Sequence, residues 1–206
     1  MSLTTATLTS CSGANLFDAV NGPNAYELIP YTCNTWTDEP DANERLPIVC
    51  VNGVEAYAFC IWDGGFLPSD AELEYAAAGG SEQRKYPWGA ADPGHASEYA
   101  IYECDYPMSS VCTSASKIAP VGTTSLGAGR WGQLDLAGNV WQWDLDGYNS
   151  YITQCDDCVA LDTESPNLFR GGGFSNDAGQ LAPTYYGTQV STRRRYDTGL
   201  RCARAP

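Results

Sequence analysis

The stretch from Trp131 to Trp143 constrains the fold of this chain more than any other. It reads Trp-Gly-Gln-Leu-Asp-Leu-Ala-Gly-Asn-Val-Trp-Gln-Trp, and so combines three tryptophans with two glycines and one acid, Asp135. Gly138 lies in an Ala-Gly-Asn turn, where a residue without a side chain suits positive φ or a close backbone approach. Tryptophans bury large apolar areas. The stretch therefore predicts a core built from irregular backbone.

Length and charge restrict the class of protein. The 206 residues fit one domain or a tight pair and are enough to bury a core, and 21 glycines with 12 prolines predict many turns. The net charge of −14 argues against a nucleic-acid partner, because phosphate binding needs a basic face. The acidity itself is explained either by solubility or by cation binding, with Ca²⁺ preferred because carboxylates and carbonyls are its ligands.

Nine cysteines indicate an oxidising, extracytoplasmic compartment, so we expect a secreted or extracellular protein. Residues 1–10 show no signal peptide, and we expect the export signal to be missing from this chain. No apolar run approaches the roughly 20 residues that span a bilayer. Because nine is odd, at least one thiol is free, bonded to another chain or separated from its partner by truncation, and Cys11 is the candidate. The expected loop disulfides are Cys33–Cys50, Cys104–Cys112 and Cys155–Cys158.

Two short helices are predicted from their capping signals. Asn52 begins the first, with Glu55 three residues later, and Ser69 with Glu72 begins the second in the same way. Glycine pairs at 64–65 and 79–80 end them. The helical spacing in the first helix predicts one apolar face, formed by Val54, Tyr57, Ala58 and Ile61.

Several ordered segments resemble the sulfatase-modifying factor family, whose best-known member is the formylglycine-generating enzyme. The segments are Gly132-Gln133-Leu134-Asp135-Leu136-Ala137-Gly138-Asn139-Val140-Trp141-Gln142-Trp143, residues 47–62, Phe66-Leu67-Pro68-Ser69-Asp70-Ala71-Glu72-Leu73-Glu74-Tyr75-Ala76-Ala77, Tyr86-Pro87-Trp88-Gly89, Phe169-Arg170-Gly171-Gly172-Gly173-Phe174 and Thr198-Gly199-Leu200-Arg201-Cys202-Ala203. Gly53, Phe66 and Leu73 depart from the family pattern, in which Trp, Arg and Trp stand there.

The resemblance implies a fold and domain limits. It covers residues 46–206 and implies an irregular, loop-rich α+β domain, related to C-type lectin domains, with two short helices, short antiparallel strands and disulfides. Residues 1–45 are then a turn-rich extension packed on that domain. A disulfide between Cys60 and Cys202 is implied by the same resemblance.

The catalytic chemistry of the family needs two cysteines after the Arg-Gly-Gly segment, because a soft Cu(I) ion requires two thiolates. The corresponding positions fall at about Asn176 and Leu181, and residues 174–201 contain no cysteine. We therefore expect no copper and no copper-dependent oxidation. The lone His95 in a Pro-Gly-His-Ala loop is a weaker candidate for catalysis. So are the acid pairs Asp144 with Asp146 and Asp156 with Asp157, because exposed loop acids outnumber catalytic ones.

The resemblance also implies a structural calcium site in the central stretch. Its ligands would be the Asp135 side chain, the carbonyls of Gly138 and Val140, and Gln142, which stands where the family has glutamate. An amide oxygen coordinates without charge, so affinity should fall. The alternative is that Asp135 only caps the turn through backbone N–H groups.

Residues 175–198 have the composition of an adaptable binding surface, rich in tyrosine and small polar residues. In the family fold this part lines the exposed ligand face, which variable proteins of diversity-generating retroelements diversify. The candidate ligand-binding residues are Asn176, Asp177, Tyr185, Tyr186, Gln189, Arg193, Arg194, Arg195 and Tyr196. The arginine run either attracts an anion or pairs with local acids.

These observations favour a non-catalytic, extracytoplasmic domain that binds a protein or glycan, without a membrane span. One alternative is an enzyme of the same family with copper-independent or altered chemistry. Another is a structural or assembly module of a surface layer or filament. The sequence predicts neither the ligand nor the oligomeric state.

Overall fold

The computed structural model describes residues 35–36, 39–107, 112, 115–148, 159–161 and 165–205. Two α-helices lie in this part of the chain, α1 (Gly53–Trp62) and α2 (Asp70–Ala78). Four short strands follow: β1 (Trp141–Gly147), β2 (Asn167–Arg170), β3 (Tyr186–Gln189) and β4 (Thr198–Leu200). Most remaining residues are turns and loops, which confirms the predicted loop-rich α+β class.

The four strands form one sheet in the order β3-β2-β1-β4. β1 pairs antiparallel with β2, with Trp143 opposite Phe169, and β2 pairs antiparallel with β3. β4, however, lies parallel to β1, with Gln142 opposite Gly199. The sheet is therefore mixed rather than antiparallel throughout. The long segment between β1 and β4 lets the chain return in the same direction, which a tight hairpin cannot do.

Both predicted helix starts are confirmed. The Asn52 side chain accepts a hydrogen bond from the Glu55 N–H (2.9 Å), and Glu55 Oε2 accepts one from the Asn52 N–H (2.9 Å). Ser69 and Glu72 form the same reciprocal pair. Gly79 ends α2 with a φ of 67°, a left-handed conformation that favours glycine.

The predicted apolar face of α1 does not pack into the core. Val54, Tyr57, Ala58 and Ile61 are exposed, and the helix buries Gly53, Ala56 and Cys60 instead. Nearly every position of α1 is apolar, so the spacing did not distinguish one face from another. The small residues face inward because a disulfide and a close backbone approach hold the helix there, with the Gly53 N–H donating to the Ser191 carbonyl (2.9 Å).

The tryptophans of the central stretch anchor the core. Trp143 is fully buried beside Trp141 and Phe169, and its indole N–H donates to the Val51 carbonyl (2.9 Å). The same cluster includes Cys60, whose disulfide to Cys202 joins α1 to the end of the chain. The sheet, the first helix and the chain end thus share one core.

Two expected disulfides are present, Cys60–Cys202 and Cys104–Cys112. Cys50 is also disulfide-bonded, whereas its expected partner Cys33 lies outside the described residues, as do Cys11, Cys155 and Cys158. The boundary near residue 46 stays a prediction, because most of the extension at 1–45 is likewise outside. No helix in the described ranges is long and apolar enough to cross a bilayer.

Candidate functional site

The loop before β1 has a tightly constrained backbone. Gly138 has a φ of 82°, as its position in the turn predicts, and a Cβ there would lie 2.7 Å from the Ile101 carbonyl oxygen. Asn139 is also left-handed, at 67°, and its buried side chain hydrogen-bonds both the N–H (2.9 Å) and the carbonyl (3.0 Å) of Ala119. These contacts fix the loop as one wall of an open cavity.

All four expected calcium ligands border that cavity, whose volume is about 550 Å³. Asp135 Oδ2 accepts a hydrogen bond from the Gly122 N–H (2.8 Å), so this carboxylate does cap a turn. Within the described ranges, its other oxygen and the carbonyls of Gly138 and Val140 accept no hydrogen bond. The structure therefore brings three available oxygens to one place.

The fourth expected ligand is already engaged. Arg201 Nε donates to Gln142 Oε1 (2.8 Å), while Gln142 Nε2 donates to the Asp135 carbonyl (2.9 Å). This pair of contacts fixes the orientation of the amide and directs its oxygen at a guanidinium. A calcium ion on that oxygen would be repelled by the neighbouring positive charge. As arranged, Gln142 does not fit the ion, so we expect weak or no calcium binding at the three remaining oxygens.

Arg201 is the residue of this cavity that sequence reasoning missed. Its guanidinium also donates to the Leu134 carbonyl (2.6 Å), and no carboxylate of the described chain lies within ion-pair distance. Burial lowers the pKa of Arg201, and the Asp135 charge partly opposes this effect. The available signal was an arginine directly before Cys202, because the implied disulfide to Cys60 fixes this segment beside α1.

The residues of the predicted ligand surface fall into two groups, exposed tyrosines and polar residues with local hydrogen bonds. Tyr185 and Tyr186 are 41% and 38% exposed, at the start of the edge strand β3. Asn176 and Asp177, by contrast, have local structural roles, accepting hydrogen bonds from the N–H groups of Gly173 and Gly179. The side chain of Gln189, at the end of β3, accepts from the next backbone N–H in the chain.

The arginine run pairs with local acids. Arg194 forms an ion pair with Glu55 of the α1 capping box, and Arg195 forms one with Asp197 (2.6 Å). Arg193 is exposed and its N–H closes a turn, while the Tyr196 ring lies 6.1 Å from that of Phe174. The charges of Arg194 and Arg195 are thus compensated by acids of the same domain, in agreement with the alternative in which the arginine run pairs locally.

Comparison with known proteins identifies the family of this fold. A family model described as the sulfatase-modifying factor enzyme 1-like domain matches residues 20–206. The chain belongs to this family. It is 33% identical over 161 residues to the formylglycine-generating enzyme of Thermomonospora curvata, covering 74% of this chain and 51% of that one. It is 32% identical over 105 residues to the inactive C-alpha-formylglycine-generating enzyme 2 of Mus musculus, covering 50% and 33%.

Solved structures show the same fold. Treponema denticola variable protein 1 superimposes with a TM-score of 0.62 at 18% identity, covering 84% of this chain and 77% of that one. At this identity the likeness establishes the fold alone. The chain spans about half or less of the length of the two curated relatives, so activity does not transfer directly to this sulfatase-modifying factor domain.

The acids Asp144 and Asp146, considered for catalysis, lie in and beside the core. Asp144 is fully buried, and burial raises its pKa, followed by the charges of Asp70 and Asp146. Asp146 accepts hydrogen bonds from the N–H groups of Asp70 (2.7 Å) and Ala160 (2.8 Å). Asp144 has no access to solvent, and the half-buried Asp146 uses both of its oxygens for backbone N–H groups, so the contacts of both acids are structural.

The single histidine, His95, is a surface residue. Its side chain is 73% exposed, and Nδ1 lies 2.8 Å from Asp105 Oδ2 and 3.7 Å from Glu103 Oε2. The hydrogen bond to Asp105 raises the pKa of His95. Among the described residues, the ring contacts Asp105, Glu103 and Tyr102, none of which is the serine or cysteine of a Ser-His or Cys-His pair.

Proposed function

We propose that this sulfatase-modifying factor domain is a non-catalytic, extracytoplasmic module that binds a protein or glycan through its C-terminal surface. The observation that supports the proposal is the position and bonding of the cysteines. Residues 174–201 contain no cysteine, and every cysteine in the described ranges is disulfide-bonded. A pair of free thiolates for a soft metal is therefore not available there.

The tyrosine pair is the part of the surface that best suits a ligand. Tyr185 Oη accepts a hydrogen bond from Gln180 Nε2 (3.0 Å), and the Arg170 guanidinium lies 5.8 Å from the centre of the Tyr186 ring. Both rings are held from one side and exposed on the other. Rigid aromatic groups supply contact area at a small entropic cost, and an edge strand adds backbone groups for a peptide partner.

The first experiment probes protein and glycan arrays with the full chain, with and without a chelator. We expect a ligand whose affinity falls at least tenfold in Tyr185→Ala/Tyr186→Ala, which corresponds to about 1.4 kcal/mol. The matched control is Tyr75→Ala, because Tyr75 is a 60% exposed tyrosine on α2. Both variants should keep the wild-type melting temperature within a few degrees.

Two other results would overturn the proposal. Stoichiometric copper together with turnover of a cysteine-containing peptide would favour the enzyme alternative, which the 33% identity to a formylglycine-generating enzyme supports. Concentration-dependent assembly on a sizing column, with no ligand on either array, would favour a structural module.

A further inference from the structure

A histidine and two carboxylates come together on the surface of the domain. His95, Glu103 and Asp105 each offer one metal-ligating atom, and the three atoms all lie within 4.8 Å of one another. His95 Nδ1 is 2.8 Å from Asp105 Oδ2 and 3.7 Å from Glu103 Oε2. Among the described residues, neither acid forms an ion pair with a lysine or an arginine. Two negative charges therefore converge on one imidazole, which cannot balance both.

The two loops that carry these side chains are held in place by contacts of their own. The Tyr102 hydroxyl donates to the Gly94 carbonyl (2.7 Å) directly before His95, and the His95 and Tyr102 rings stack with centroids 6.1 Å apart. The Glu103 N–H donates to the Asn176 carbonyl (2.8 Å), which ties the second loop to the C-terminal part of the domain. Because the backbone is already fixed, the entropic cost of binding a ligand is reduced.

The spacing of the three atoms suits a transition-metal ion. Zinc binds imidazole nitrogen and carboxylate oxygen at about 2.0–2.2 Å, so two ligand atoms of one tetrahedral ion lie roughly 3.3–3.6 Å apart. The distances of 2.8 Å and 3.7 Å from His95 Nδ1 lie on either side of this range. Glu103 is exposed and Asp105 is half-buried, so small side-chain rotations bring both oxygens to the same ion.

The mixture of ligand types selects the class of ion. Calcium and magnesium take oxygen ligands, so the imidazole does not suit them. Imidazole and carboxylate together suit Zn²⁺ and its first-row neighbours. The His95 side chain is 73% exposed, which leaves room for water or for a donor group of a bound partner at the remaining position.

We propose that His95, Glu103 and Asp105 bind one divalent ion of the zinc class, with Nδ1 as the nitrogen ligand and one oxygen from each acid. The ion balances the two carboxylates, and it takes the place of the hydrogen bond between His95 and Asp105. The competing explanation is that this hydrogen bond is only a surface contact. The two explanations differ in whether the imidazole responds to zinc.

Nuclear magnetic resonance tests the nitrogen ligand directly. His95 is the only histidine of the chain, so the imidazole signals of the untagged protein report on this residue alone. We expect one equivalent of Zn²⁺ to shift these signals to a saturated position, with a larger change at Nδ1 than at Nε2. Excess Mg²⁺ should leave them unchanged, because it takes oxygen ligands. Imidazole signals that do not respond to zinc would overturn the proposal.

Calorimetry with Zn²⁺ on the EDTA-treated full chain tests all three ligands. Glu103→Gln, Asp105→Asn and His95→Ala should each weaken zinc binding at least tenfold, because each removes one ligand from the ion. Glu98→Gln is the matched control, since Glu98 is an exposed acid of the same chain segment outside the cluster. An equal loss in Glu98→Gln would indicate diffuse attraction to an acidic surface and would overturn the proposal.

Circular dichroism of each variant checks that it is folded before the affinities are compared. Zinc binding that persists unchanged in His95→Ala would place the ion elsewhere, such as on an unpaired cysteine, and would also overturn the proposal. The site is independent of the tyrosine surface and of the central loop. Tyr185→Ala/Tyr186→Ala and Asp135→Asn should therefore bind zinc normally, and a tenfold loss in either variant would contradict the assignment.

Discussion

Two disulfides of very different loop length provide the sharpest quantitative test of the fold. Cys60 and Cys202 are separated by 142 positions, and Cys104 and Cys112 by 8. A crosslink stabilises a protein mainly by restricting the unfolded chain, and the effect grows with the logarithm of the loop length. Removing the long-range bridge as Cys60→Ala/Cys202→Ala should therefore cost much more than removing the short-range one as Cys104→Ala/Cys112→Ala.

The loop-closure relation gives the size of the difference. For separations of 142 and 8 positions it predicts losses of about 5.0 and about 2.5 kcal/mol, which differ by about 2.5 kcal/mol. The constant in the relation cancels in that difference, so only the loop lengths determine it. Cys60 is also fully buried, and the packing lost with its sulfur acts in the same direction.

The assay is equilibrium unfolding in guanidinium chloride under non-reducing conditions, followed by tryptophan fluorescence. Each double alanine variant removes both partners, so it leaves no new unpaired thiol that could form incorrect disulfides. The free energies of unfolding of the two variants are compared directly. If the Cys104→Ala/Cys112→Ala variant loses as much stability as the other, the loop-length reasoning is refuted.

Three further predictions concern the central loop and the buried acid. Asn139→Ala should reduce the free energy of unfolding by about 2–5 kcal/mol, because two buried backbone groups lose their partners. Asn139→Gly should reduce it by about 1 kcal/mol less, since glycine accepts positive φ. Equal losses in the two variants would contradict this explanation. Because burial raises the pKa of Asp144, its stabilising contribution is present below pH 3.8 and is lost as the pH rises through the raised folded-state value. Asp144→Asn should therefore gain stability relative to wild type between pH 4 and pH 7 in urea unfolding, and a constant difference would refute the assignment. Millimolar calcium should leave the melting temperature within about 1 °C of that in EDTA, because an ion raises the melting temperature only if it binds the folded state. A rise of several degrees that Asp135→Asn abolishes would confirm the calcium site expected from the sequence. It would also refute the argument that the Arg201 charge repels the ion.

Features that depend on neighbouring residues could be predicted from the sequence. The capping pairs Asn52 with Glu55 and Ser69 with Glu72 are three residues apart, so the helix backbone alone brings them together. Gly138 was predictable for the same reason, because a turn restricts its own backbone. The family resemblance added the Cys60–Cys202 bridge, which no local pattern reveals.

Features that depend on distant residues were decided by the tertiary structure. Arg201 reaches Gln142 across 59 positions, and Arg194 reaches Glu55 across 139, so composition alone could not show which charges are compensated. The sequence did not show which face of α1 points inward, because the helix is apolar on nearly all sides. The disulfide of Cys60 places the face with the small residues against the core. Local conformation follows from short-range sterics and hydrogen bonds, whereas burial and charge pairing depend on which distant segments the folded core brings into contact.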